Sequence, residues 1–212
     1  MAATPQHGKH GAVYRVRPSS VAGDLTAEAC TESGAVAQIT DASKRVLDPN
    51  NPPVFTDAGG ETVLAINYTN GTAYFTGNVG VVTVTGTSCY FPTAQITKVG
   101  YVTDWSFTTN LDMADVSHMG EEWKESIVGQ AGGEGSVSSF FLGDQGFTEG
   151  MASSSKFFLE LFTYDPDQDQ TGDHFRVWCI FNGEDISGAV GDVVKDNLTF
   201  TIDGIPSFVP AT

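Results

Sequence analysis

A chain of 212 residues is long enough to bury a full hydrophobic core, either as one large β domain or as two smaller ones. A hydrophobic content of 40%, with 14 Phe and 24 Gly, argues against disorder and for a folded protein rich in turns. The 10 basic and 26 acidic residues give a net charge of −16, which argues against nucleic-acid binding by phosphate neutralisation, since that needs clustered Lys and Arg.

Residues 1–12 are polar and rich in Gly and His, and read as a flexible N-terminal arm ahead of a single β domain over 13–212. Within that domain, 35–95 can be an insertion or an extension. The arm has no apolar stretch of signal-peptide length, and no later run approaches the ~18 apolar residues of a membrane span, so the expectation is a protein made and kept in a cytoplasm. The N-x-T triplets at Asn67, Asn70 and Asn197 are then chance occurrences.

From about 35 onward, short alternating or β-branched runs are separated by Gly, Asn, Asp and Pro, the pattern of an all-β chain. "TVLAINY" (62–68), "TNG" and "TAYFTG" (72–77) predict a hairpin, and "VGVVTVTG" (79–86) a further strand. "ITKVGYVTDWSFTTN" (96–110) predicts one longer strand, with Trp105 and Phe107 on one face and Asp104, Ser106 and Thr108 on the other. "EEWKESIV" (121–128) predicts two helical turns. Glu121 and Glu122 suit the first turn, Trp123 and Ile127 can anchor one face, and Gly129 is placed to stop the helix.

"GSVSSFFL" (135–142) reads as a strand and "DQGFTEGMASSS" (144–155) as a weaker helix. "KFFLELFTY" (156–164) and "HFRVWCIF" (174–181) form a pair with regular faces, Phe157/Leu159/Leu161 and Phe175/Val177/Cys179/Phe181. Their intervening residues are also largely apolar, so both faces should be covered. The alternating "NLTFTID" (197–203) closes the series.

His118, Glu121, Glu122 and Glu125 stand at spacings of three, one and three, which on a helix would present one metal-binding face. Gly120 breaks that helix, no partner Glu-x-x-His exists at His7, His10 or His174, and H-E-x-x-H is absent. In "DPDQDQTGD" (165–173), Asp165, Asp167 and Asp169 match the first calcium-loop ligands. Gln170 replaces the required Gly and Arg176 the required Glu, so an acidic hairpin loop is the expectation. Cys30, Cys89 and Cys179 have no metal-type spacing, and Cys89 and Cys179, among apolar or aromatic neighbours, read as buried free thiols. With no nucleophile elbow and no phosphate loop, neither an enzyme nor a bound cofactor or metal is expected.

The order of "VTDWSFTTNLDMADVSHMGEEWKESIVGQAGGEGSVSSFF" (102–141) resembles the tail tube (major tail) proteins of long-tailed, non-contractile bacteriophages. A strand ending in Trp leads to a D-V-[ST] segment, a short acidic Trp-bearing stretch and then G-S-V-S. "FFLELF" and "HFRVWCIFNGEDISGAVGDVVKDNLTFTIDG" resemble that family's closing strands, and residues 60–86 resemble a Y-x-x-G-x-x-x-F…VTVTG segment of some members. "GQAGGEG" departs from members that carry an aromatic there.

The resemblance implies a mainly β fold, a β-sandwich or barrel of the tail-tube type with one or two short flanking helices. It implies hexameric rings stacked into a virion tube, assembled in the host cytoplasm, with tape-measure, tail-tip and tail-terminator proteins as partners, no membrane, and DNA passing through without specific binding.

Charge is uneven in a way that suits such a conduit. Residues 1–103 carry 6 basic and 7 acidic groups, and residues 104–212 carry 4 and 19. Acidic walls repel phosphate. The lumen-lining candidates are Asp104, Asp112, Asp115, Glu134, Ser136 and Ser138. Candidates for inter-subunit or inter-ring contacts are Arg15, Arg17, His118, Glu121, Glu122 and Glu125. The alternative is a carbohydrate-binding β-sandwich, such as a phage receptor-binding or decoration module, with Tyr68, Tyr74 and Tyr90 as a sugar platform.

Overall fold

Fourteen strands organise the chain in the computed structural model, which describes residues 11–16, 20–100, 102–115, 126–140, 156–163, 172–188 and 194–210. They are β1 (Ala12–Val16), β2 (Gly23–Ser33), β3 (Val36–Ile39), β4 (Val54–Asp57), β5 (Val63–Asn67), β6 (Thr72–Phe75), β7 (Val82–Tyr90) and β8 (Ile96–Lys98). There follow β9 (Val102–Asp115), β10 (Ser126–Phe140), β11 (Phe157–Phe162), β12 (His174–Ser187), β13 (Lys195–Ile202) and β14 (Ser207–Val209). The fold is mainly β, as expected from the strand rhythm. Among the described residues the helical elements are single 3₁₀ turns at Ala42–Lys44 and Thr93–Gln95.

The strands form two antiparallel sheets. One runs β8-β1-β11-β12-β13-β10-β9, with β14 added to β12; the other runs β4-β7-β2-β3-β6-β5. In the first, β8 and β9 stand at opposite ends of the hydrogen-bonded path, yet only residues 99–101 separate them in sequence. The sheet must therefore curl until its edges meet, and cross-sheet contacts record that closure. Phe107 of β9 meets Phe175 of β12 edge-on with ring centroids 5.0 Å apart, and Trp105 Nε1 donates to the Phe162 carbonyl of β11 at 3.1 Å. The second sheet curls likewise, because its edge strands β4 and β5 are joined by residues 58–62 alone.

Each curl encloses its own core. The first holds Val13, Val137, Phe157, Leu159, Leu161, Val177, Cys179, Phe181, Leu198 and Phe200. The second holds Leu25, Cys30, Ile39, Leu47, Phe55, Phe75, Val82, Val84 and Cys89. Every residue of β11 is buried, as its unbroken apolar run requires: Phe157, Leu159 and Leu161 enter the first core, while Phe158 faces a third cluster with Val16, Val46 and Trp178. All three thiols are free and buried, and burial pushes Cys30 up to about 11, with Glu32 adding to the effect. Glu160, the one charge in β11, faces Arg176 across the β11–β12 ladder, Nε to Oε1 at 2.8 Å.

Several expectations need correction. The run 96–110 is not one strand, because the chain leaves β8 at Lys98, tucks in Val99 (its amide donating to the Val13 carbonyl at 2.8 Å) and enters β9 at the other sheet edge. The helix expected over 121–128 does not reach its end: Ser126, Ile127 and Val128 are strand, paired with Asp115, Ala114 and Met113, and Gly129 lies inside β10. Cross-strand pairing outweighs the four-residue Trp123/Ile127 spacing. Residues 121–125 and the helix expected over 144–155 lie outside the described residues. So do residues 1–10 of the expected arm, while Ala12, 2% exposed, already belongs to β1.

Candidate functional site

The outer face of β9, β10, β13 and β12 is where the sequence candidates meet. Antiparallel register sets one row as Asp104, Ser138, Asn197 and Asp185, the next as Ser106, Ser136, Thr199 and Gly183, and a third as Thr108, Glu134, Thr201 and Ile180. Alternation drives this face outward, because Trp105, Phe107, Val137, Leu198 and Phe200 occupy the intervening positions and pack into the first core. Asp104, Glu134, Thr199, Thr201 and Asp185 are exposed, and Ser136 and Ser138 half-buried.

Hydroxyls and amides knit the surface. The Ser106 and Ser136 hydroxyls lie 3.0 Å apart. Thr199 Oγ1 donates to Asn182 Oδ1 at 2.8 Å, and Asn182 Nδ2 donates to Thr201 Oγ1 at 3.0 Å. The three rows contain three carboxylates and no Lys or Arg, and Lys195, paired with Phe140 at the end of β13, stands one row beyond. The local sequence makes the face possible. A Cβ on Gly135 would lie 2.4 Å from both the Ser106 carbonyl and the Phe200 ring, and one on Gly133 would lie 2.6 Å from the Thr108 carbonyl. Glycine at both positions lets the Phe200 and Ile202 side chains and the ladder approach β10 closely.

Four of the six lumen candidates, Asp104, Glu134, Ser136 and Ser138, are thus brought together on one face. Asp112 and Asp115 fall farther along β9, with Asp115 opposite Ser126, and their side chains are outside the described residues. Beyond Glu134, β10 has no partner in β13 and pairs with β9 alone, so the two strands continue as a ribbon. The contact candidates His118, Glu121, Glu122 and Glu125 belong to the segment joining the ribbon's two ends and are outside the described residues, as is Arg17. Arg15, at 1% exposure, is buried on the Val13 side of β1, in register with Leu159 and Thr97.

Sequence reasoning missed Asn182, Asp185, Asn197, Thr199 and Thr201, although the alternation of "NLTFTID" carried the signal for β13. Of the three grouped tyrosines, Tyr68 and Tyr90 both pack against the second core. Tyr68 also packs against the third cluster, Tyr74 lies on β6, and Tyr90 ends β7 against Gly23, with β2 and β3 between those strands. Asp165, Asp167 and Asp169 are outside the described residues.

No family model matches the chain, and no curated protein matches it. Among solved structures it is similar to a chain in the tail of an empty gene transfer agent (GTA) particle, computed with helical refinement in C6 symmetry. That likeness has 14% identity and a TM-score of 0.45, over 55% of this chain and 88% of the other. It is similar also to a chain in the virion of a native GTA particle, at 15% identity and a TM-score of 0.45, over 55% of this chain and 90% of the other. Likenesses this remote carry no argument about what the chain does.

Proposed function

We propose that this chain is a structural virion protein of a phage-type tail, whose copies form hexameric rings that stack into a tube for DNA. The reading rests on one observation above the others: Asp104, Glu134, Ser136 and Ser138 share a continuous, solvent-facing sheet surface whose three rows hold Asp104, Glu134 and Asp185 and no base. A wall that must let a polyanion slide needs such a surface. Carboxylates repel phosphate within about one Debye length (~8 Å at physiological salt), and neutral hydroxyls offer no fixed cation to hold it. The family-like order of residues 99–142 and 174–205 supports the same reading.

In this role the protein acts with other tail proteins and with further copies of itself. It performs no chemistry. Electron microscopy of concentrated pure protein, alone or on a tail-tip nucleus, is expected to show six-fold rings or tubes. Only monomers or trimers across all salt and protein concentrations would refute the proposal.

A further inference from the structure

Strands β1 and β8 are direct antiparallel neighbours, with Tyr14 opposite Lys98, Arg15 opposite Thr97 and Val16 opposite Ile96. They form an ordinary hairpin except that its connection runs for 79 residues, from 17 to 95. Strands β2 to β7 lie in that connection, pair only among themselves and enclose their own core. The neck is pinned where the chain leaves and returns, the Val21 amide donating to Gln95 Oε1 at 2.8 Å and Gln95 Nε2 donating to the Val21 carbonyl at 2.8 Å.

The seam between the two bodies is small and mixed. Val16, Phe158, Trp178 and Ile96 on the first sheet meet Val46, Tyr68 and Phe91, which lie in loops and at strand ends of the long connection. Asn67 Nδ2 donates to Ser207 Oγ at 3.1 Å, and the Thr69 and Ser207 hydroxyls lie 2.5 Å apart. Two clefts of about 310 and 260 Å³, both bordered by Lys156 and Trp178, open along it. A continuous core would not leave such gaps.

Its position follows from the curl. Phe158 and Trp178 point away from the first core on the β11–β12 side, whereas Asp104, Ser136 and Thr199 point away from it on the β9–β10–β13 side. The layers therefore run from polar face to first core, to seam, to second sheet. We propose that residues 20–95 are an accessory module inserted into the β1–β8 hairpin, carried on the side of the eight-stranded body opposite the polar face and facing the medium rather than building the tube. The outward presentation rests on the tube reading; the modularity does not.

The test uses the full chain. Phe55→Ala opens a hole in the second core only. Hydrogen exchange of the monomer is expected to show lost protection across β2–β7, with protection kept in β10–β13. Parallel loss in both sheets would overturn the module. For presentation, Val81, 68% exposed just ahead of β7, is changed to Cys and biotinylated, the native thiols being buried. Streptavidin is expected to decorate intact particles along their walls, and biotin that is reachable only after particle disruption would overturn the outward placement. Failure to form any particle would refute the tube reading and with it the outward placement, leaving the exchange experiment to decide the module alone.

Discussion

Reversing charge on the polar face separates a conduit wall from a merely soluble surface. The perturbation is Asp104→Lys with Glu134→Lys. Their cross-strand partners are Ser138 for Asp104, and Thr108 and Thr201 for Glu134, so neither substitution removes an ion pair or meets a like charge directly opposite. Both sites are exposed, and stability should change by no more than about 0.5 kcal/mol. The effect on DNA should be large by contrast. If even six phosphates per bound duplex are neutralised, affinity falls on the order of 10³-fold between about 50 and about 200 mM salt. Fluorescence anisotropy of a short linear duplex against assembled particles should show tight binding at low salt that vanishes along that slope, and wild type should show none. A closed circular plasmid cannot enter a tube, so it should remain unbound. Variant particles that bind the plasmid as well as the duplex would place these residues on the outer wall. Particles that bind neither would refute the electrostatic argument.

Two further outcomes concern the body that carries the face. Arg176→Met strands Glu160 in a fully buried strand and should cost about 3–5 kcal/mol in urea unfolding, whereas Glu160→Leu with Arg176→Met should be neutral or stabilising; a single variant within about 1 kcal/mol of wild type would refute the buried-pair account. Burial, then the Arg176 charge, lowers His174 from 6.5 to about 4, so the unfolded state binds more protons in that window and stability falls as pH drops through it. Burial, then Glu184, raises Asp196 from 3.8 to about 6, so the native state binds more protons there and stability falls as pH rises. The two slopes oppose one another between about 4 and 6; His174→Phe, which keeps the stack on Phe162, should leave the Asp196 slope exposed, and a profile unchanged from wild type would refute it.

What the sequence made legible was whatever a period of two or a turn signature encodes. The hairpin around "TNG", the double burial of β11 and the opposition of Asp104 to Trp105 all follow from local pattern. Arg15 was legible too, since Val13 and Arg15 share a parity and Val13 is core, yet its charge drew the reading outward. The rest depends on closure of the sheet. Nothing in "TKVGYV" marks the crossing from one edge to the other, because the residues suit a strand throughout. The glycines of "GQAGGEG" resemble a loop in isolation. In the fold, Gly133 and Gly135 are strand positions where a neighbouring carbonyl and the Ile202 or Phe200 side chain leave no room for a Cβ. Their meaning lies in partners about 65 residues away on β13, such as Phe200, which no local window contains.

The charge asymmetry of the second half arises from placement as much as from number. Residues 104–212 contain four bases: Lys124, Lys156, Arg176 and Lys195. Arg176 is spent on Glu160, on the seam side of the body. Lys156 sits on that side as well, 2.7 Å from Asp203 and bordering both seam clefts. Lys195 stands at the end of the polar face, beyond its three rows. Lys124 falls outside the described residues. Arg176 and Lys156 thus neutralise acids on the seam side, Lys195 stands at the margin, and the carboxylates of the face are left without a cation in their three rows. Folding alone gains nothing from that arrangement, because exposed carboxylates on neighbouring strands repel one another weakly, and one interspersed Lys would relieve them. A surface past which a polyanion must travel does gain from it, since a single fixed cation per subunit, repeated around a ring and along a stack, becomes a ladder of binding sites. If the face lines a tube, its three rows offer a passing polyanion no fixed cation, and Lys195 at their margin is the described base on that face that it would meet.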